Sequence, residues 1–370
     1  MQDIDMGAVA AQVLWATFGL SLLFGAIAQR THFCTMGAVA DIVNIGDWSR
    51  MRMWALAIGV AMLGFNAMVA AGWVDAGKTI YAAPRLTWLS AIVGGAMFGF
   101  GMVLASGCGS KTLVRIGGGS LKSVVVFVVL GLAAFATLKG ITGAARVATV
   151  DRVALEFAGG QDLPTVAAHW FGVGKAQAAL LFGVVLGGGL IAWVLARAEG
   201  RSADVLLGGI GIGGVIAAMW WVSGRLGHVA EDPNTLQEAF VATNSQRMES
   251  LSFVAPIAYT LDWLLFYSDK SKLLTIGIVS TVGVVFGSAL WALASRSFRW
   301  EGFANVEDTG NHLVGATLMG VGGVAALGCT VGQGLSGVST LALGSFIALA
   351  SIIGGAVLAL RYQVWRVEQT

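Results

Sequence analysis

Nine stretches of this chain are long and apolar enough to cross a hydrocarbon core about 30 Å thick, which takes roughly 20 helical residues each. They are 6 to 28, 53 to 74, 88 to 107, 121 to 138, 176 to 197, 203 to 222, 273 to 295, 311 to 328 and 340 to 360. In lipid every backbone N–H and C=O must be satisfied within the protein, so a chain built from such runs is an all-α integral membrane protein. Composition agrees. Only 11% of the residues are charged and the mean hydropathy is +0.79, whereas an average soluble domain carries about 25% charge. Two further stretches, Phe33 to Ile45 and Phe253 to Tyr267, are apolar but broken by Gly37 or by Pro256 and Asp262. They read as short or re-entrant helices covered by protein. Ala26-Ile27-Ala28 resembles a signal-peptidase site, but Asp3 and Asp5 precede a run that is too long for a signal sequence, so this segment reads as a first span.

An internal repeat organises these spans. Val93 to Ser123 lies over Val314 to Gly344 at one fixed offset without a gap, which places Gly94 on Gly315, Gly99 on Gly320, Gly101 on Gly322, Gly107 on Gly328 and Cys108 on Cys329. The same offset carries Asp41 onto Asp262 and Phe65 onto Phe286. Upstream of residue 33 the register needs an insertion, and Gly224 to Ser250 supplies it. Four spans, a linking span and four more spans make the second copy inverted relative to the first, an arrangement common in secondary transporters with a site near the bilayer midplane. The expected units are 6–138 (first repeat), 139–202 (external loop and linking span) and 203–360 (second repeat). Most glycines of the repeat read as packing surfaces between spans. Trp73, Trp88, Trp220 and Trp221 fall at span ends and read as interface anchors.

The net charge of +2 gives no reason to expect nucleic acid as a partner. Short loops after the first span collect Arg30, Arg50, Arg52, Lys111, Arg115 and Lys122, which puts the N-terminus outside and the C-terminus in the cytoplasm. Segments 139–175 and 224–250 then face outward.

Three cysteines, Cys34, Cys108 and Cys329, form no CxxC pair, so neither a zinc site nor a disulfide scaffold is indicated. His32, His169, His228 and His312 show no ligand spacing, and no metal or cofactor is expected. Each cysteine ends a span and opens a short segment. If that segment is helical, its first turn presents free N–H groups and the positive end of a dipole beside the thiol, which suits an anion. Ser110, Thr330 and Gln333 add neutral donors, while Gly107 and Gly328 let the backbone come close. A thiol is a soft, weak donor suited to a polarizable partner. A small sulfur oxyanion matches both properties. Lys111, Arg115 and Lys122 attract an anion to the cytoplasmic mouth, although topology alone also places basic residues there. The bland reading of any one cysteine is a small core hydrophobe, and it stays open for Cys34, which meets Ala255 in the repeat. Asp41 and Asp262 serve either ion coupling or helix capping. Gly107 to Thr112 lacks the spacing of a nucleotide-binding loop.

Several of these runs carry a family resemblance. Asn311-His312-Leu313-Val314-Gly315, Leu318-Met319-Gly320 and Leu327 to Gly337 resemble the YeeE/YedE sulfur-transport family. So do Gln29-Arg30 through Cys34, Gly107-Cys108 through Leu121-Lys122-Ser123, and Ser252-Phe253 with Pro256. The resemblance implies an importer of thiosulfate or a related sulfur compound rather than an enzyme, with an hourglass-shaped core in the inner membrane. It also implies that Cys34, Cys108 and Cys329 line the path and pass the ion along by S–H···S contacts without covalent capture. A cytoplasmic TusA-like sulfur carrier is the partner it suggests. Two other readings stand beside it. One is a persulfide-forming membrane sulfur carrier, which needs a nucleophilic thiol and a base. The other is a membrane subunit of a larger sulfur-handling complex.

Overall fold

A computed structural model describes residues 5–233 and 235–369, so Asp3 lies outside the described residues. α1 (Met6–Arg30) opens on Asp5, whose carboxylate accepts from the amides of Gly7 and Ala8. α2 (Thr35–Ile45) and α3 (Ser49–Ala70) follow. α4 (Trp88–Leu104) leads through Cys108 into α5 (Gly109–Gly117), and α6 (Leu121–Lys139) completes the first set. Two short helices, α7 (Ile141–Ala148) and α8 (Leu163–Phe171), precede the linking span. That span is α9 (Lys175–Phe182), a π-helical turn Gly183–Gly188, and α10 (Gly189–Leu195).

The second set repeats the order: α11 (Ala203–Trp221), α12 (Ala255–Leu265), α13 (Ile276–Ala294), α14 (Val306–Ala325) and α15 (Leu343–Glu368), with a π-helical turn Gly332–Gly337 after Cys329. Both broken stretches are helices of 11 residues, α2 and α12.

Among the described residues, 8 helices are long and apolar enough to span a membrane, against nine expected. The difference is 311–328. It is helical, but α14 starts earlier with Glu307 and Asp308 in its first turn and buries His312. α14 packs on α4 and α6 through its buried face, which holds His312, Gly315, Ala316 and Met319. Lipid-facing flanks are apolar, as at Leu181, Val184, Val185, Phe286 and Leu293, all exposed. The chain is a multi-pass membrane protein, nearly all helical. Segments 139–175 and 224–272 are more structured than their polarity suggests: Arg85–Leu86 pairs antiparallel with Leu155–Glu156, and His228–Val229 with Ala239–Phe240. Trp220 is no interface anchor. It is fully buried and donates to Ser339 Oγ at 3.0 Å, while Trp73 and Trp221 are exposed.

The waist is the crossing of α4 and α14. A Cβ built on Gly94 would lie 2.7 Å from the Gly322 carbonyl oxygen, and one on Gly322 2.6 Å from that of Gly94. Gly101 and Gly315 face each other in the same way, each Cβ falling 2.6 Å from the other's carbonyl oxygen. Because 94 meets 322 while 101 meets 315, the two helices run antiparallel. Other contacts are exchanged between the sets: α4 packs on α15 as α14 packs on α6, and α1 packs on α13 as α11 packs on α3. The backbones come this close because no Cβ intervenes, which lets dispersion hold helices together where lipid removes the hydrophobic drive. The repeat glycines are packing surfaces, as their spacing suggested.

Candidate functional site

Each of the three cysteines stands at the start of a short helical segment, Cys34 and Cys108 with extended backbone angles. Cys34 caps α2 and its sulfur accepts from the Gly37 amide at 3.4 Å. Cys108 precedes α5, and its sulfur lies 3.2 Å from Ser110 Oγ. Cys329 opens the segment that continues into Gly332–Gly337, and its sulfur accepts from the Gly332 amide at 3.4 Å. The amides of Val331 and Phe253 also face this sulfur. All three thiols are therefore buried beside unpaired helix N–H groups. The turns that deliver two of them are alike: Ser106 and Leu327, at matching repeat positions, both take left-handed backbone angles (φ 56 and 58). A non-glycine residue held there is strained and persists only where its surroundings dictate it.

Cys108 is the middle member, within electrostatic reach of both Cys34 and Cys329. Lys111, one turn into α5, reaches Cys34 and Cys108. Around Cys329 the polar groups are buried and under-used. Thr330 Oγ1 and Gln333 Oε1 have no hydrogen-bond partner among the described residues, although Gln333 Nε2 donates to the Ala326 carbonyl. A buried unpaired polar atom is uncommon and calls for a missing partner. Thr330→Val is accordingly expected to change stability by no more than about 0.5 kcal/mol, since no internal bond is lost. Thermal unfolding in detergent measures this.

A cavity opens at each end of this line. On the face that carries the start of α1, a cavity of about 210 Å³ reaches Leu327 and Gly328, next to Cys329. Arg146, Ser252 and Glu249 are among its walls. On the face where α15 ends, a more open cavity of about 780 Å³ is lined by Arg30, His32, Lys111, Arg115, Arg296 and Arg299, with Glu301 the one acid among its lining residues. Lys111 and Arg115 both line this cavity. Lys122 does not line it, being tied to Glu301 at 2.7 Å. Gly107 packs on the stem of Lys111. Asp41 and Asp262 are each closed in an ion pair, with Arg50 at 2.7 Å and with Lys272.

Sequence reasoning missed Tyr81, Ser252, Arg146 and Glu249. A Cβ on Gly332 would fall 2.5 Å from Ser252 Oγ and 3.2 Å from Tyr81 Oη, so both hydroxyls converge on the turn that holds Cys329. All four residues come from loops or short helices outside the best-matched repeat. Ser252 carried part of the family resemblance, and the signal of the other three was polarity in segments long enough to fold back.

The sequence that builds this row of buried thiols is similar to those of known proteins. The model of a family described as "Sulphur transport" fits residues 30–358. The chain is 26% identical to "Thiosulfate transporter TsuA" of Escherichia coli, covering 90% of each chain. It is 25% identical to the protein of that name from Spirochaeta thermophila, covering 93% of this chain and 97% of the relative. A shorter match, 29% over 103 residues, links it to "Probable transporter YedE" of Salmonella typhimurium, covering 26% of this chain and 23% of that one. With the family model spanning nearly its whole length, this chain belongs to the sulphur-transport (YeeE/YedE) family.

Proposed function

We propose that this protein imports thiosulfate, or a closely related small sulfur anion, by handing it from Cys329 past Cys108 to Cys34 through non-covalent contacts. The observation that carries the reading is the placement of all three thiols at helix N-termini, with Cys108 within reach of both others. A dianion at the bilayer centre is costly. Several weak sites in series lower that barrier without a trap, because each replaces part of the hydration shell and none holds tightly. Backbone amides supply the charge complement, and the soft thiols favour a terminal sulfur over oxygen. Thr330, Gln333 and Ser110 complete the donors, and Gly107 and Gly328 let the ion approach the backbone. In this reading 6–138 and 203–360 are inverted halves joined by 139–202, the N-terminus is outside the inner membrane and the C-terminus is cytoplasmic. The basic cavity then receives the ion and is the place for a TusA-like carrier to collect it. The curated relatives that carry the thiosulfate name support the substrate.

Uptake of labelled thiosulfate by liposomes holding the purified chain tests this. Uptake that excess sulfate does not block supports the reading, and wild-type vesicles that move nothing sink it. A second expectation separates attraction from topology. Lys111→Ala should lower uptake several-fold at low salt and less at high salt, because a partly buried charge beside the path is removed. Lys122→Ala combined with Glu301→Gln should leave uptake nearly unchanged, because the two charges of that ion pair are removed together.

A further inference from the structure

The cavity on the N-terminal face has an acid in its wall, an unexpected neighbour for an anion. Glu249 lines it together with Ser245, Ser252, Tyr259, Arg146 and Gly328, and Gly328 adjoins Cys329. Its carboxylate is fixed, accepting from the Ser245 amide at 2.8 Å and from the Ser245 hydroxyl at 2.5 Å. No ion pair joins it to any described residue.

The charges around it are otherwise spent. Arg146 of α7 is held by Asp151 at 3.2 Å and by the Val324 carbonyl at 3.4 Å. Lys78 is bound to Glu238, which His228 also contacts. Arg247 turns to the Thr79 carbonyl at 3.4 Å. Tyr259 of α12 and Tyr81 bring phenols, and Cys329 brings its thiol. α13 contributes Ile276, Gly277 and Ser280, none of them charged. An ionised Glu249 would therefore oppose the arriving dianion with nothing beside it to compensate, whereas a protonated one would offer an O–H donor.

We propose that Glu249 is a proton-binding site coupled to anion occupancy, so that the vestibule takes up the sulfur anion together with one proton carried on this carboxyl. The proposal rests on the thiosulfate reading above and adds a coupled ion to it. Burial pushes the Glu249 carboxyl up from the ordinary glutamate range, against the Ser245 bonds that hold it down. The sign follows. As pH falls through this raised value the repulsion disappears and a donor replaces it, so affinity rises toward acid. Thiosulfate itself remains a dianion over that range.

Calorimetric titration of the purified full-length protein with thiosulfate tests it, between about pH 5.5 and 8.5, in pairs of buffers with different ionisation enthalpies. Wild type should bind more tightly as pH falls, by up to about tenfold per unit, and take up close to one proton per anion on the alkaline side of the transition. Glu249→Gln should bind with a flat pH profile and no proton uptake, and at alkaline pH should bind more tightly than wild type. Ser245→Ala, which removes a bond that is stronger to the ionised form, should move the transition to higher pH. Wild-type binding that is flat with pH, or a slope that survives in Glu249→Gln, would overturn the coupling while leaving the thiosulfate reading intact. Failure of wild type and Glu249→Gln to bind thiosulfate at any pH would overturn both.

Discussion

Cys329→Ala is expected to reduce thiosulfate uptake by about 10- to 100-fold, while Cys329→Ser retains a clearly larger share than alanine. The magnitude follows from losing one donor to a charged ligand in a buried site, about 1.5–3 kcal/mol, at about 1.4 kcal/mol per tenfold. Serine keeps an O–H on the same helix terminus, still faced by the Gly332 amide, but forfeits the soft sulfur contact. The comparison also separates two chemistries. A carrier that forms a persulfide needs the thiolate as nucleophile, so serine and alanine would be equally dead. Initial rates in proteoliposomes, normalised to folded protein, distinguish the two, and equal loss in both variants would argue against non-covalent relay. Cys108→Ala should act alike, since the middle thiol serves both neighbours.

Gly322→Leu is expected to prevent folding, and Gly322→Ala to destabilise by about 1–3 kcal/mol, the usual range for over-packing a tight core. Even a methyl at 322 would sit 2.6 Å from both the Gly94 carbonyl oxygen and the Phe98 amide nitrogen, backbone atoms that move only if α4 moves. Gly94→Ala should behave in the same way from the other side. Gly354→Ala is the control: a Cβ there has nothing within 4 Å, so alanine should be tolerated or slightly stabilising. Thermal unfolding in detergent ranks the three, and a Gly322→Ala protein as stable as Gly354→Ala would show that the waist is looser than described.

Hydropathy marks the spans because the bilayer imposes one length and one polarity on every helix that faces it. α14 escapes that rule. It opens on Glu307 and Asp308 at the positive end of its dipole and turns His312 inward, so these polar residues answer to the helix end and the protein interior rather than to lipid. The helix-start placement of Cys108 and Cys329 was legible because a repeat gave two copies of one Gly-Cys step, whereas Cys34 follows Phe33 and had only its place between two apolar runs. Tyr81 was not legible. It reaches Cys329 because Met248 exchanges backbone bonds with Lys78 and Ile80, a pairing between residues about 170 apart that no local period encodes. Glu249 sits on the same strand of chain and was hidden for the same reason. Trp220 looked like an anchor by position, yet its N–H found Ser339 inside the fold.

The exchanged contacts at the waist set a schedule for making the protein. α4 finishes near residue 104, but its partners α14 and α15 do not begin until residues 306 and 343. At about 5–20 residues per second, roughly 10 to 50 seconds of synthesis separate the two events. During that interval the first set of helices sits in the bilayer with its glycine stripe against lipid and Cys108 without its final cover. Quality control and oxidants would meet the nascent chain in this half-built form. The sealed thiols of the finished protein are thus the last part of it to become safe.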